Sequence, residues 1–225
     1  MPSDSFEPAG IQDETTLSRE RQDMIATQIM ARGVLEPRTL EALRAVPRHR
    51  FVPERLIREA YADHPLPIGH GQTISQPFIV AAMTAVLDLQ GEETVLEVGV
   101  GCGYQTAVLS RVASRVFGLE IVEALALLAR ARLDALGFKN VEIRSGDGSM
   151  GWPERAPFDA ILVAAAAPRV PESLKAQLKD GGRLILPVGD YAQVLKLLTR
   201  RGSTFEERDL LAVQFVPMTG EIRRV

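Results

Sequence analysis

The chain has 225 residues, with 26 basic against 29 acidic side chains, a formal charge of −3 and a single cysteine, Cys102. That length supports one sizeable hydrophobic core, the near-balance of charge sets up no overall field for nucleic acid or an anionic membrane, and one cysteine excludes an internal disulfide or a cysteine-cluster zinc site. His49, His64 and His70 lack helical spacing around a carboxylate, and the longest apolar run, residues 160–167, is far too short to span a bilayer, so neither metal chemistry nor membrane insertion is expected.

Residues 1–17 mix Pro, Ser, Gly and acids with few large apolar side chains, which predicts a disordered N-terminal tail. From Ser18 the pattern turns helical, with Met24, Ile25 and Ile29 on one side and Gly33 as the stop. A second helix is expected from Pro37 to before Pro47, and a third over "PERLIREAY" from Pro53. This first part carries no strand signal. The stretch "GHGQTISQPF", Gly69 to Phe78, reads as a loop, and "PFIVAAMTAVLDL" as a helix with Pro77 in its first turn.

Strand and helix then alternate. "TVLEV", "RVFGLE", "NVEIRSGD", "FDAILVAAAA" and "RLILPVG" read as five strands, separated by helical stretches that include "IVEALALLARARLDALG" and "PESLKAQLKDGG". Such alternation implies right-handed crossovers and a parallel sheet covered on both faces. The last forty or so residues change rhythm: "AQVLKLLTRRG" and "TFEERDLLAVQFVPMTG" carry strand patterns with turn-length connections, as antiparallel edge strands would. The expected fold is α/β, a doubly wound, mostly parallel Rossmann-like sheet with an N-terminal helical extension. The expected organisation is a single domain over 18–225, with the extension and its loop at 18–76 and the α/β core at 77–225.

The sharpest chemical signal is "VLEVGVGCGYQ", a strand followed by Gly99, Gly101 and Gly103 and then a helix from Tyr104. Alternate glycines turn the backbone tightly and let a ligand lie against main-chain atoms at the carboxyl ends of the strands. Glu120, 21 residues after Gly99, ends the second strand, where a carboxylate can accept from both ribose hydroxyls. Asp147, followed by Gly148, stands after the third strand, placed to accept from an exocyclic amine such as that of adenine. Together they describe an adenosine pocket. The spacing is G-x-G-x-G, with Tyr104 where a dinucleotide fold usually has its third glycine, and Glu97 beside the loop would repel a pyrophosphate but suits the ammonium of an amino-acid-bearing cofactor. That favours S-adenosyl-L-methionine over NAD.

Several separated stretches also resemble the protein-L-isoaspartate O-methyltransferase family: "VPRHRFVPE", "YADHPLPIGHGQTISQPFIVAAMT", "VLEVGVGCGYQTAVL", "GDGSMGWPERAPFDAILV", "LKDGGRLILPVG" and "FVPMTG". Val100 and Cys102 replace the Thr and Ser common in that family's glycine loop, and Ala164 stands where Thr is frequent. The resemblance implies methyl transfer from S-adenosyl-L-methionine to the α-carboxylate of L-isoaspartyl residues in damaged proteins and peptides, with S-adenosyl-L-homocysteine as product. It also implies an exchanged strand order at the C-terminal edge. By the same resemblance Ser75 is the catalytic donor to the substrate carboxylate, with Thr73, Ile74 and Val216 on the substrate and Thr219 beside the cofactor. By position alone Ser75 could as well cap the following helix. A methyltransferase acting on a small molecule or RNA, and a non-enzymatic adenosine sensor, are the competing readings. The remaining expectations are a monomer, in the cytoplasm, binding neither nucleic acid nor membrane.

Overall fold

The computed structural model describes residues 13–223, so the first twelve residues of the expected tail lie outside the described part. Helix α1, Glu14–Met24, begins four residues before the Ser18 expected as its start, because Asp13 caps it by accepting from the Thr16 N–H at 2.7 Å, and Leu17 is already buried. Residues 13–17 are therefore part of the fold. The helix runs on through a π turn, Ile25–Ile29, and a 3-10 turn, Met30–Arg32, to Gly33 at φ 87°. Helix α2, Pro37–Ala45, is capped by the Glu36 carboxylate, which accepts from the N–H groups of Arg38 and Thr39. "PERLIREAY" forms only a 3-10 helix, Glu54–Glu59.

The expected absence of strand in this first part is overturned. Strands β1, Leu66–Gly69, and β2, Gln72–Ile74, pair antiparallel across a two-residue turn at His70 and Gly71, with φ of 52° and 70°. Both central residues at positive φ is the hairpin geometry that matches strand twist. Strands of four and three residues are too short to show alternation, and His70 stands where Asn or Asp would have announced the turn.

The core follows as expected in order: α3 Pro77–Val86, β3 Thr94–Val98, α4 Tyr104–Val112, β4 Arg115–Glu120, α5 Glu123–Ala135, β5 Val141–Ser145 and β6 Phe158–Val163. The next helix is shorter than expected. Helix α6 covers only Glu172–Ala176, and Leu178 already opens β7, Leu178–Val188, by pairing with Phe158. Sheet pairing outweighs a helical pattern only two turns long. Strands β8, Gln193–Arg201, and β9, Thr204–Val213, complete the sheet, and a 3-10 turn at Glu221–Arg223 follows.

The sheet order is β5-β4-β3-β6-β7-β8-β9, parallel through β7 and antiparallel beyond it, with β9 at the edge. The order reverses between β3 and β6, so the ligand crevice of such a sheet falls at their carboxyl ends. Alternate residues of β3 enter opposite layers. Val95 joins the core formed with α1 to α4, Leu96 and Val98 join the one around Trp152 and Phe158, and Glu97 shares the face of Val95. The Asn140 amide donates to the carbonyls of Ser110, at 2.9 Å, Ala113 and Ser114, and so ties the approach to β5 to the end of α4.

Candidate active site

A cavity of about 240 Å³ opens at the carboxyl ends of β3, β4 and β6. The glycine loop forms its floor. Gly99, Gly101 and Gly103 all take positive φ, and a Cβ on Gly101 would stand 3.1 Å from Ile68 Cδ1, so at that point the hairpin and the loop approach backbone to side chain. Gly148 sits against Val98 with no room for a Cβ.

Glu120 clamps this loop. Its Oε2 accepts from the Gly101 N–H at 2.8 Å and its Oε1 from the Val122 N–H at 2.9 Å, while its side chain reaches the cavity wall. Two carboxylate oxygens offer about four acceptor sites, so two bonds leave capacity for a pair of hydroxyls. Ile121 and Val122 continue the wall as an apolar surface.

Glu97 is fully buried below the loop, off the cavity wall, and neither carboxylate oxygen has a hydrogen-bond partner. Burial pushes its carboxyl up to about 8; the nearby Thr106 hydroxyl opposes the shift without a bond of ordinary geometry, and the Glu120 charge adds to it. A buried acid with nothing to pair with is a place for a cation to approach. The residues thus fit an adenosine carrying an ammonium: an acid free for hydroxyls, glycine backbone where a Cβ would intrude, and an orphaned carboxyl beneath.

The opposite wall comes from the hairpin and the C-terminal segment. Thr73, Ile74 and Ser75 line the cavity together with Val216 and Thr219. Ser75 does not cap α3. Gln76 holds the N-cap position, no side chain bonds the first turn, and the Gln76 amide instead donates to Asp63 Oδ1 at 2.8 Å. The serine hydroxyl is left for a ligand. The C-terminal segment is held by the Ala166 N–H donating to the Val216 carbonyl and the Met218 N–H donating to that of Ala166, each at 2.8 Å.

Asp147 is placed differently from the expectation. Its carboxylate accepts from the N–H and hydroxyl of Ser149 and from the Glu221 N–H at 2.7 Å, and it is Gly148 that reaches the cavity wall. The acid therefore anchors the C-terminal segment, and Gly220, at φ 102°, passes too close to it for any side chain. Gly103 also stands off the wall, packed under α5. His64 and His70 are loop residues, and the Cys102 thiol is buried and pushed up by that burial, away from thiolate reactivity.

Arg48 carries no signal of its own in the sequence. It is fully buried, donates from Nε to the Ala60 carbonyl at 2.7 Å, and lies 5.1 Å from the ring centroid of Tyr104, which lines the cavity. Its two terminal nitrogens have no partner among the described residues. Only the family-like stretch "VPRHRFVPE" pointed to it.

A family model described as "Protein-L-isoaspartate(D-aspartate) O-methyltransferase (PCMT)" matches residues 19–223. A protein-L-isoaspartate O-methyltransferase of Anaeromyxobacter dehalogenans is 58% identical over 191 residues, 83% of this chain and 91% of that one. One from Shewanella sediminis is 52% identical over 210 residues, 92% and 86% of the two chains. Among solved structures, a protein-L-isoaspartate O-methyltransferase superposes with a TM-score of 0.82 at 29% identity, covering 90% of this chain and 67% of that one. A Plasmodium falciparum structure assigned to the same activity, in complex with S-adenosyl-L-homocysteine, gives 0.75 at 26% identity, covering 90% and 97%.

Proposed function

This chain belongs to the protein-L-isoaspartate(D-aspartate) O-methyltransferase family and transfers methyl groups from S-adenosyl-L-methionine to isoaspartyl residues of damaged proteins, and we propose how its own residues divide that work. The observation that carries the division is that Ser75 and Glu120, from opposite walls, reach the same cavity.

When bound, the cofactor supplies a methyl group on a sulfonium and leaves as S-adenosyl-L-homocysteine. Glu120 would accept from its ribose hydroxyls, the backbone of Gly99 and Gly101 would border its amino-acid part, Gly148 and Thr219 would flank it, and Glu97 would be the counter-charge for its ammonium. Gly103 and Asp147 act one step back, the first by letting α5 pack beneath the loop and the second by holding the segment that carries Thr219. Two acids at this floor favour a cationic ligand over its neutral product.

The nucleophile arrives ionised, since an α-carboxyl titrates at about 3.3–3.7, so no general base is required. What the chain must provide is in-line placement at about 3–3.5 Å and removal of water from the attacking oxygen. Ser75 donates to that carboxylate, and the backbone of Thr73, Ile74 and Val216 borders it. The carboxylate becomes a methyl ester, whose methoxy group leaves more readily than an oxide; attack by the following backbone nitrogen on the ester carbonyl closes a succinimide with release of methanol, and water can reopen the ring to normal aspartate.

Within a single domain we assign the helical extension and loop, 18–76, together with Val216, to the substrate side, and the rest of the α/β core, 77–225, to the cofactor. We propose a monomer acting in the cytoplasm without nucleic acid, a reading supported by the near-balanced charge and the single cysteine; no described helix is long and apolar enough to cross a membrane. Incubation with labelled S-adenosyl-L-methionine and matched peptides containing isoaspartate or aspartate is the test. Labelling confined to the isoaspartyl peptide is expected, and equal labelling of both would sink the reading.

A further inference from the structure

A second, open cavity of about 680 Å³ adjoins the first and shares Thr73, Ser75, Ala164 and Val216 with it. It begins where the substrate carboxylate would end. One wall is Gln76 and Ile79 with Arg32, and the other is the end of β9 and the residues after it, 211–216. Strand β9 is the edge of the sheet, so alternate N–H and C=O groups face away from β8, the arrangement to which an extended peptide adds as a further strand. At about 3.4 Å per residue the stretch 211–214 has room for roughly three or four peptide residues.

Arg32 is the charged residue among the described residues that line this cavity. Its guanidinium lies 3.4 Å from the centroid of the Phe78 ring, which fixes the fork, and Nη1 meets Asp63 Oδ2 at 3.3 Å. Asp63 is itself shared with the Gln76 amide, and one bond leaves most of the five donors of an arginine for a ligand.

Building on the methyl-transfer reading above, we propose that this second cavity holds the polypeptide flanking the isoaspartate and that Arg32 selects there for an acidic over a basic side chain. The occupant is chosen by continuity with the substrate serine and by the sign of the lining charge.

The test uses isoaspartyl peptides that carry either Glu or Lys at each of three positions on either side of the isoaspartate. They are assayed with the full chain and with its Arg32→Gln and Arg32→Glu variants. On one side of the isoaspartate the Glu peptide should exceed its Lys counterpart by about threefold to fivefold in kcat/KM at low salt, carried by KM and shrinking as salt is added. That ratio should fall to near one in Arg32→Gln and reverse in Arg32→Glu. Taking the ratio within each variant cancels any loss of folded protein. A ratio near one at all six positions, or one that Arg32→Glu leaves unchanged, overturns the assignment of Arg32. Failure to methylate any isoaspartyl peptide while S-adenosyl-L-homocysteine still binds would instead bring down the methyl-transfer reading, and this one with it.

Discussion

The two walls of the cavity are built in different ways. The cofactor wall comes mainly from one short run of sequence, residues 97–122, with Gly148 and Thr219 at its edges; its strand ends are fixed by parallel pairing and its loop is cross-linked by Glu120. The substrate wall joins segments from opposite ends of the chain, and it hangs on a few polar contacts: Gln76 to Asp63, Ala166 to Val216, and Asp147 to Glu221. A ligand of fixed shape is met by a frame that folds with the sheet. A variable polypeptide is met by an assembly whose parts can be altered without moving that frame.

This contrast predicts separable losses. Glu120→Ala has the largest expected effect, because it removes the acceptor for the cofactor and frees the Gly101 and Val122 N–H groups together. At about 1.5–3 kcal/mol for each charge-assisted bond, calorimetry with S-adenosyl-L-homocysteine should show affinity at least about 100-fold weaker. Ser75→Ala comes next, with kcat/KM for an isoaspartyl peptide roughly tenfold to a hundredfold lower and cofactor affinity within about twofold. If both variants lost only cofactor affinity, the division between the walls would be wrong.

The third test uses pH. Glu97 holds its proton in the folded chain up to about pH 8 against an ordinary value of 4.5, so its contribution to stability is whole below the lower value and is lost as the pH rises to the upper one. Thermal melting of the cofactor-free protein should show that decline, and Glu97→Gln should flatten it. The ammonium requires the ionised form, so affinity for S-adenosyl-L-homocysteine should rise by up to about fiftyfold between pH 6 and 8 in the native chain and stay level in the variant. Asp147→Asn is the mildest change. It weakens the anchor at Glu221, with an expected loss of about 1 kcal/mol in melting and a KM for peptide no more than about threefold higher.

The cofactor wall was the more legible of the two because its logic is local. "TVLEV" and "RVFGLE" end where the structure ends β3 and β4, and the glycines, Glu97 and Glu120 follow from those ends. The hairpin was missed because its strands are too short for a period to show, and the end of the "PESLKAQLKDGG" stretch went to β7 because pairing with Phe158 is a long-range contact. Asp147 stood out as an acid at a strand end, but nothing near it in sequence indicates that its carboxylate turns to Glu221. Arg32 and Arg48 look like ordinary helix-flanking cations until Phe78 and Tyr104 are packed against them.

The tie made by Asn140 has a consequence for how this protein ages. Isoaspartate forms from asparagine when the next backbone nitrogen attacks the side-chain carbonyl and the amide nitrogen departs. The whole chain contains one asparagine. Its amide nitrogen is held by three carbonyls, and the residue after it is a β-branched valine at the start of a paired strand. The atom that would have to leave is bound in place and the attacking one is confined, so the asparagine route to isoaspartate is restrained at the one position of this chain where it could begin.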